Sequence, residues 1–267
     1  MLEVAAMDGS ENSGDSRCLT ATSVFTNASD GDFAVPPQGT APLDAADERS
    51  LALRRSSIVD MPWTWLRQVH GGRVVVVDKP GQFAGVEADA AVTASANAVV
   101  SVQTADCAGV LFAGFAQQKQ SDGKLVDQVV AVGAAHAGWR GVAAEILQTT
   151  VAELEALGAQ RVIWALGPCI SPAAYEFGES ELQSLVDRYG ESLRGYTDTG
   201  APALDLRAAV SAALSETSAL QRNAERIPCT ATEPGYFSWR ARRDTARQVA
   251  AIWMCAPSSS PAAGMWL

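Results

Sequence analysis

The chain has 267 residues, 48% hydrophobic and 19% charged, with a mean hydropathy of +0.03. That balance buries a substantial core and excludes disordered and fibrous classes. Twenty Lys and Arg against 30 Asp and Glu give a net charge of −10, a field that repels phosphate backbones and anionic lipid, so neither a nucleic acid nor a membrane partner is expected.

The N-terminal MLEVAAMDGSENSGDSR lacks the basic start and apolar run of a secretion signal. No later stretch approaches the ~18 apolar residues of a membrane span. The expected location is the cytoplasm. Residues 8–49 are rich in Gly, Ser, Asp, Asn and Pro and read mostly as loop, with one strand at Leu19 to Phe25. Short apolar runs predict buried strands at Val74–Val77, Ala98–Val102, Val110–Phe115, Val129–Ala134 and Val162–Leu166. Between two of them, the polar stretch Gln117–Asp127 holds Asp122-Gly123 and predicts a hairpin, hence an antiparallel component.

Helical spacing is clear in three places. Ile146, Leu147, Val151, Leu154 and Leu157 predict a helix over Val142–Leu157 that Gly158 stops. A second begins at Ser180, whose pairing with Gln183 reads as a capping box, and runs through Leu182, Leu185, Val186 and Tyr189 to Gly190. A third follows Asp205 as N-cap, with Leu206, Ala209, Val210, Ala213 and Leu214 inward. Interleaved strands and helices give an α/β class: a single domain with a mixed sheet, part of it antiparallel, flanked by helices.

The only two histidines are His70 and His136, too few for a cluster of several copper ions. Five cysteines (Cys18, Cys107, Cys169, Cys229, Cys255) form no tight pair in sequence, and reduced thiols are expected. Each histidine stands where glycines meet an apolar run, and Cys107 sits between two such runs, 37 residues after His70 and 29 before His136. That spacing matches no zinc finger. Two imidazoles and a thiolate from distant loops suit a catalytic zinc with one position open; the alternative is a hydrogen-bonding loop role for each histidine and buried packing for the cysteine.

Eight short motifs occur in order: RQVHG (67–71), DAAVT (89–93), ADC (105–107), HAGWRG (136–141), GPCI (167–170), YE (175–176), CT (229–230) and FS (237–238). Together they closely resemble the YfiH family, also called the laccase-domain or polyphenol oxidase family. The resemblance spans most of residues 60–253, and HAGWRG is its most specific element. It implies a YfiH-like catalytic domain over residues 51–255; composition adds a poorly structured segment 1–50 of the same domain before it and a tail, 256–267, after it. It also implies metal ligation by His70, Cys107 and His136, and purine nucleoside chemistry: phosphorolysis of adenosine, inosine, guanosine and methylthioadenosine, with adenosine deamination besides. Two family segments differ here. TNASDGDF (26–33) stands where an Arg-Gly-Gly-Val-Ser loop is usual, and SWRARR (238–243) replaces Ser-Tyr-Arg-Arg-Asp.

On that reading zinc is the metal, with copper as the alternative, and phosphate is the co-substrate. Arg140 is a candidate anion ligand because HAGWRG leads from a strand into a helix N-terminus. Asp106 and Asp89 are candidate proton carriers, and Gln68, Ser238 and Arg240 candidate substrate or phosphate contacts. The expected partners are a nucleoside and phosphate, on a monomer or weak homodimer. Competing readings are a copper-dependent oxidase, a Cys-His hydrolase using Cys107, and a family member without enzymatic activity.

Overall fold

The computed structural model describes residues 2–4, 19–36, 43–119, 122–222 and 226–256. In chain order its elements are β1 (Leu2–Val4), β2 (Thr20–Phe25), α1 (Ala45–Ile58), β3 (Trp63–Arg67), β4 (Val74–Val76), β5 (Val86–Glu87), β6 (Ala90–Thr93) and β7 (Val99–Thr104). Then come β8 (Ala108–Lys119), β9 (Leu125–Ala137), α2 (Trp139–Ala143), α3 (Ile146–Ala156), β10 (Arg161–Leu166), α4 (Glu179–Tyr189), β11 (Arg194–Tyr196) and β12 (Pro202–Leu204). The last are α5 (Leu206–Ser215), β13 (Leu220–Gln221), α6 (Trp239–Arg242) and β14 (Gln248–Cys255). The strands make two six-stranded sheets, β1-β2-β14-β7-β3-β5 and β13-β10-β8-β9-β6-β4, plus the ribbon β11-β12.

Side-chain parity explains how these layers stack. Alternate residues of a strand point to opposite faces. On β8, Val110 and Phe112 join a cluster with Ile146, Leu147, Val151 and Leu154 of α3 and Ala209 and Val210 of α5. Leu111 and Ala113 instead meet Val100, Val102, Ile252 and Met254 of the other sheet. Strand β14 repeats the pattern: Ala250, Ile252 and Met254 fill the space between the sheets, while Val249, Ala251 and Trp253 pack with Phe33, Leu51 and Trp63. The layers are thus helices α2 to α5, sheet, sheet, and α1. Strands in the two middle layers are covered on both faces and read as unbroken apolar runs.

The mixed α/β class, the antiparallel component and the flanking helices agree with the sequence pattern, with the mixed sheet divided into two. Strands β8 and β9 form the expected hairpin, paired from Ala108↔Ala137 to Lys119↔Leu125 with Asp122 and Gly123 at its turn. Asp205 caps α5, its Oδ1 accepting from the N–H groups of Arg207 and Ala208 at 3.0 Å each.

Two helix expectations need correction. The segment Val142–Leu157 is not one helix: α2 and α3 are separated at Ala144 and Glu145, the latter at φ 58° and ψ 30°. The Val142 carbonyl accepts from the Glu145 N–H at 3.1 Å and from the Tyr189 hydroxyl at 3.0 Å, and the Glu145 carboxylate pairs with Arg188 at 3.2 Å. Partners on α4 therefore hold the chain out of a continuous helix. The Ser180–Gln183 box is not used either. Gly178 is the N-cap of α4, and Gln183 instead accepts from Arg194 and donates to Asp187, at 2.7 and 2.8 Å. Helix α1 and strands β3, β6 and β14 have no counterpart among the predicted elements. No helix among the described residues is long and apolar enough to cross a membrane.

Candidate metal centre

The two sheets meet at one end, where three connections converge. Strands β3 and β7 run parallel, so their C-terminal ends lie side by side. His70 follows β3, and the link Ala105–Cys107 carries the chain from β7 in one sheet to β8 in the other. His136 is the penultimate residue of β9 and is paired with Gly109 of β8. The donor atoms of His70, Cys107 and His136 all lie within 4.8 Å of one another, with Cys107 Sγ 3.8 Å from His70 Nε2. His136 is buried, Cys107 half-buried and His70 exposed, so the group is closed behind and open in front. Gly138 makes room for it: a Cβ there would stand 2.9 Å from His70 Cδ2 and 3.0 Å from Cys107 Sγ.

Asp89, with no exposed surface, holds both histidines. Its Oδ1 accepts from His136 Nδ1 at 2.8 Å and from the His70 N–H at 2.9 Å, while Oδ2 accepts from the N–H groups of Gly71 and Val69 at 2.7 and 3.2 Å. These bonds keep His70 at φ 61°, a left-handed conformation that a non-glycine residue seldom adopts unaided. An ionised carboxylate only accepts, so His136 donates through Nδ1, and Nε2 is the atom that would bind a metal on giving up its proton.

The electrostatics favour a cation here. Burial pushes the Asp89 carboxyl up, but His136 and the backbone N–H donors outweigh it and hold it below the usual range. Burial likewise raises the Cys107 thiol, yet the two histidines bring it down to about 6. Burial lowers the His136 imidazole, and Cys107 and Asp89 raise it to about 9. Tetrahedral zinc with bonds of about 2.0–2.3 Å keeps such donor atoms about 3.3–3.6 Å apart. Two imidazoles, an easily ionised thiol and an open front fit that ion with one position for an outside ligand.

Asp106, beside Cys107, is a second buried junction. At φ 94° it too is left-handed, and its Oδ1 accepts from the hydroxyls of Thr230 and Ser238 at 2.7 Å each, its Oδ2 from the Arg240 N–H at 2.6 Å. It ties the link between the sheets to the segment that carries α6.

In front of the three ligands lies a cleft of about 670 Å³, and its lining includes Arg67, Tyr175, Trp239, Arg240 and Arg247 together with Val35 and Pro36. Of the residues singled out in the sequence, His70, Cys107, His136, Asp106, Gln68 and Arg240 border it. Gln68 spends both ends of its amide on Gln103 of β7, to the carbonyl and from the N–H at 2.7 Å each. Ser238 is fully buried; its hydroxyl donates to Asp106 and accepts from Ala241 N–H at 3.1 Å, capping α6. Arg140 is exposed in the first turn of α2 and is not one of the residues lining the cleft, its guanidinium 4.5 Å from the centroid of the Trp139 ring and near enough to Tyr175 of that lining to act on it electrostatically. Arg240 donates to the Glu176 carbonyl at 3.1 Å and lies over the Tyr175 ring. Trp239, 47% exposed, is a cleft residue that the sequence did not single out. Its signal was there in SWRARR, where a larger ring replaces the family's tyrosine.

The family model described as multi-copper polyphenol oxidoreductase laccase matches residues 38–255. A purine nucleoside phosphorylase of Streptomyces coelicolor is 32% identical over 242 residues, 86% of this chain and 94% of its own length. Another, from Streptomyces griseus, is 34% identical over 221 residues, covering 81% and 84%. Among solved structures, a Neisseria meningitidis protein of the DUF152 family superposes with a TM-score of 0.65 at 24% identity, covering 89% of this chain and 94% of that one. The Bacillus licheniformis YfiH protein gives 0.64 at 20% identity, covering 90% and 97%. These two likenesses concern the fold. The sequence matches concern descent, and by them the chain belongs to the laccase-domain family, whose curated relatives here carry the name purine nucleoside phosphorylase.

Proposed function

We propose that the protein is a zinc-dependent purine nucleoside phosphorylase. The observation that carries this reading is the His70–Cys107–His136 group, open to a cleft whose other walls supply arginines and aromatic rings. The names of relatives at 32–34% identity over more than four fifths of the chain support it. His70, Cys107 and His136 would hold the ion, which when bound supplies Lewis acidity at its open position. Phosphorolysis joins a phosphate oxygen to the anomeric carbon of the ribose as the bond to the purine breaks, and the departing base takes up a proton.

The chain's own residues then divide the work. Arg240 and Arg247 border the cleft and would pair with phosphate, a task suited to the planar guanidinium. Arg140 stands outside that lining and would act on phosphate only at the rim. Trp239, 47% exposed, would offer a ring to a purine, while Arg240 lies over the ring of Tyr175. The bonds that Asp89 accepts come from the His136 ring and the His70 loop, and Asp106 is engaged by three donors. Such bonding supports positioning for both carboxylates rather than proton transfer. Gln68 and Ser238 are positioning groups on the same grounds.

The test is turnover of inosine and adenosine by Zn²⁺-loaded protein with and without phosphate. Phosphate-dependent release of free base with ribose 1-phosphate is expected. Base release in neither condition would overturn the reading. Ammonia release from adenosine in the same assay reports the adenosine deamination that the family resemblance implies. The family description and the His₂Cys donor set favour one second reading, a copper oxidase. Bound copper together with phenol oxidation, in protein that leaves nucleosides intact, would establish it.

A further inference from the structure

Two sequence motifs, GPCI and CT, play no part in the metal centre, yet the fold brings their cysteines face to face. Cys169 and Cys229 are opposite partners in an isolated parallel β-bridge, made by Cys169 N–H to Pro228 O and Thr230 N–H to Cys169 O, both 3.3 Å. Arg207 of α5 clamps the two segments together, donating to the carbonyls of Cys169 and Pro228 at 3.2 Å each. Directly paired residues on neighbouring strands point to the same face, with strands about 4.7–4.9 Å apart. A disulfide needs Cα atoms about 4.4–6.8 Å apart. Both sulfurs are free thiols in this structure.

We infer that Cys169 and Cys229 form a peroxide-responsive thiol pair, in which Cys229 is oxidised first and Cys169 closes the disulfide. The division of labour follows from their surroundings. Cys169 has no exposed surface, whereas Cys229 keeps 7%. Cys229 Sγ accepts from the Ser171 hydroxyl at 3.1 Å and from the Ser171 N–H at 3.3 Å, contacts that stabilise a thiolate. Consistent with this, burial raises the Cys229 thiol but donors from Ser171 and Thr232 bring it down to about 7. Burial pushes Cys169 up to about 12, against a smaller downward pull from Arg207.

The chemistry balances with a hydroperoxide as the oxidant. The Cys229 thiolate attacks one peroxide oxygen; an S–O bond forms, the O–O bond breaks, and the leaving oxygen departs as water or alcohol after taking a proton. The Cys169 sulfur then attacks the sulfenic sulfur of Cys229. The S–S bond forms, the S–O bond breaks, and the Cys169 proton leaves with the hydroxide as water. One peroxide is reduced and two thiols are oxidised. The neighbours of this pair reach the site: Ile170 N–H donates to Asp106 O at 2.9 Å, and the Thr230 hydroxyl to Asp106 Oδ1 at 2.7 Å.

The test uses the full chain loaded with Zn²⁺, treated with one equivalent of hydrogen peroxide, then unfolded in denaturant that already contains excess alkylating agent, so that both buried thiols are reached, and digested with trypsin. A disulfide joining the peptide of residues 162–188 to that of residues 227–240 is expected, and a dithiol reductant should remove it. In Cys169→Ser, a 1,3-dicarbonyl trap should label Cys229 as the sulfenic acid; in Cys229→Ser, Cys169 should stay a thiol. Wild-type protein in which both cysteines are alkylated after peroxide overturns the inference without recourse to any variant. Labelling of Cys169 rather than Cys229 overturns the assigned order. None of these readouts depends on nucleoside turnover.

Discussion

Asp89 Oδ1 lies 2.8 Å from Nδ1 of His136. That single bond holds the proton on Nδ1, so that Nε2 is the nitrogen that would give up its proton to a metal, and the same carboxylate fixes the His70 loop through three backbone N–H groups. Replacing it by an amide weakens both functions while keeping the shape. Asp89→Asn is expected to lower Zn²⁺ affinity about 10–100-fold, the usual cost of losing an outer partner of a ligating histidine. Titration against a chromophoric chelator measures this. An unchanged dissociation constant would mean that Asp89 serves the loop alone.

The two histidines should fail differently. With no third histidine in the chain, His70→Ala and His136→Ala are each expected to abolish stoichiometric metal binding, as read by elemental analysis. Stability separates them. His70 is exposed, so its loss should cost under about 1 kcal/mol in the metal-free protein. His136 is buried against Asp89, and removing it leaves a buried carboxylate without its cationic partner, a change of about 3–5 kcal/mol. Urea unfolding of the two apo variants gives the comparison, and equal losses would contradict the role assigned to Asp89.

Gly138 offers a cleaner probe of the geometry. Alanine there would put a methyl group 2.9 Å from His70 Cδ2, closer than real contacts allow, and 3.0 Å from Cys107 Sγ, which would have to give by a few tenths of an ångström. Gly138 is also the N-cap of α2 at φ −75°, which alanine adopts without strain. Gly138→Ala should therefore spread the ligands and weaken Zn²⁺ binding at least tenfold with an unfolding midpoint close to the parent's in the absence of metal. Full affinity in this variant would show that the three donors move independently of the loop.

The fold was readable where packing alone decides, and obscure where tertiary partners intervene. Strands such as β8 and β9 are covered on both faces, so their composition announces them. Helix α1 does not announce itself: AADERSLALRRSSI buries only Leu51 fully, and no apolar stripe marks it. The break between α2 and α3 depends on Tyr189 and Arg188, far along the chain, which no local pattern in residues 142–157 contains. The same division runs through the site. His70, Cys107 and His136 stood out by residue type and motif. That Asp89 and Asp106 are knots of hydrogen bonds, and that Gln68 and Ser238 are spent on backbone and cap, follows only from which segments meet.

Asp106 gives the sharpest test of that last point, because a proton carrier and a structural knot respond differently to substitution. Hydrogen bonds to a charged group contribute about 1.5–3 kcal/mol each, and Asp106 receives them from Thr230, Ser238 and Arg240. Asp106→Ala should lower stability by about 3 kcal/mol or more. Asp106→Asn keeps an oxygen for the two hydroxyls but turns a donor toward the Arg240 N–H, a loss of about 1–3 kcal/mol. Combining Asp106→Asn with Thr230→Val should reveal a coupling of about 0.5–3 kcal/mol, as groups in one network do. If Asp106 served proton transfer instead, the asparagine variant would unfold at the parent's denaturant midpoint, the cycle would close with no coupling, and only turnover would fall.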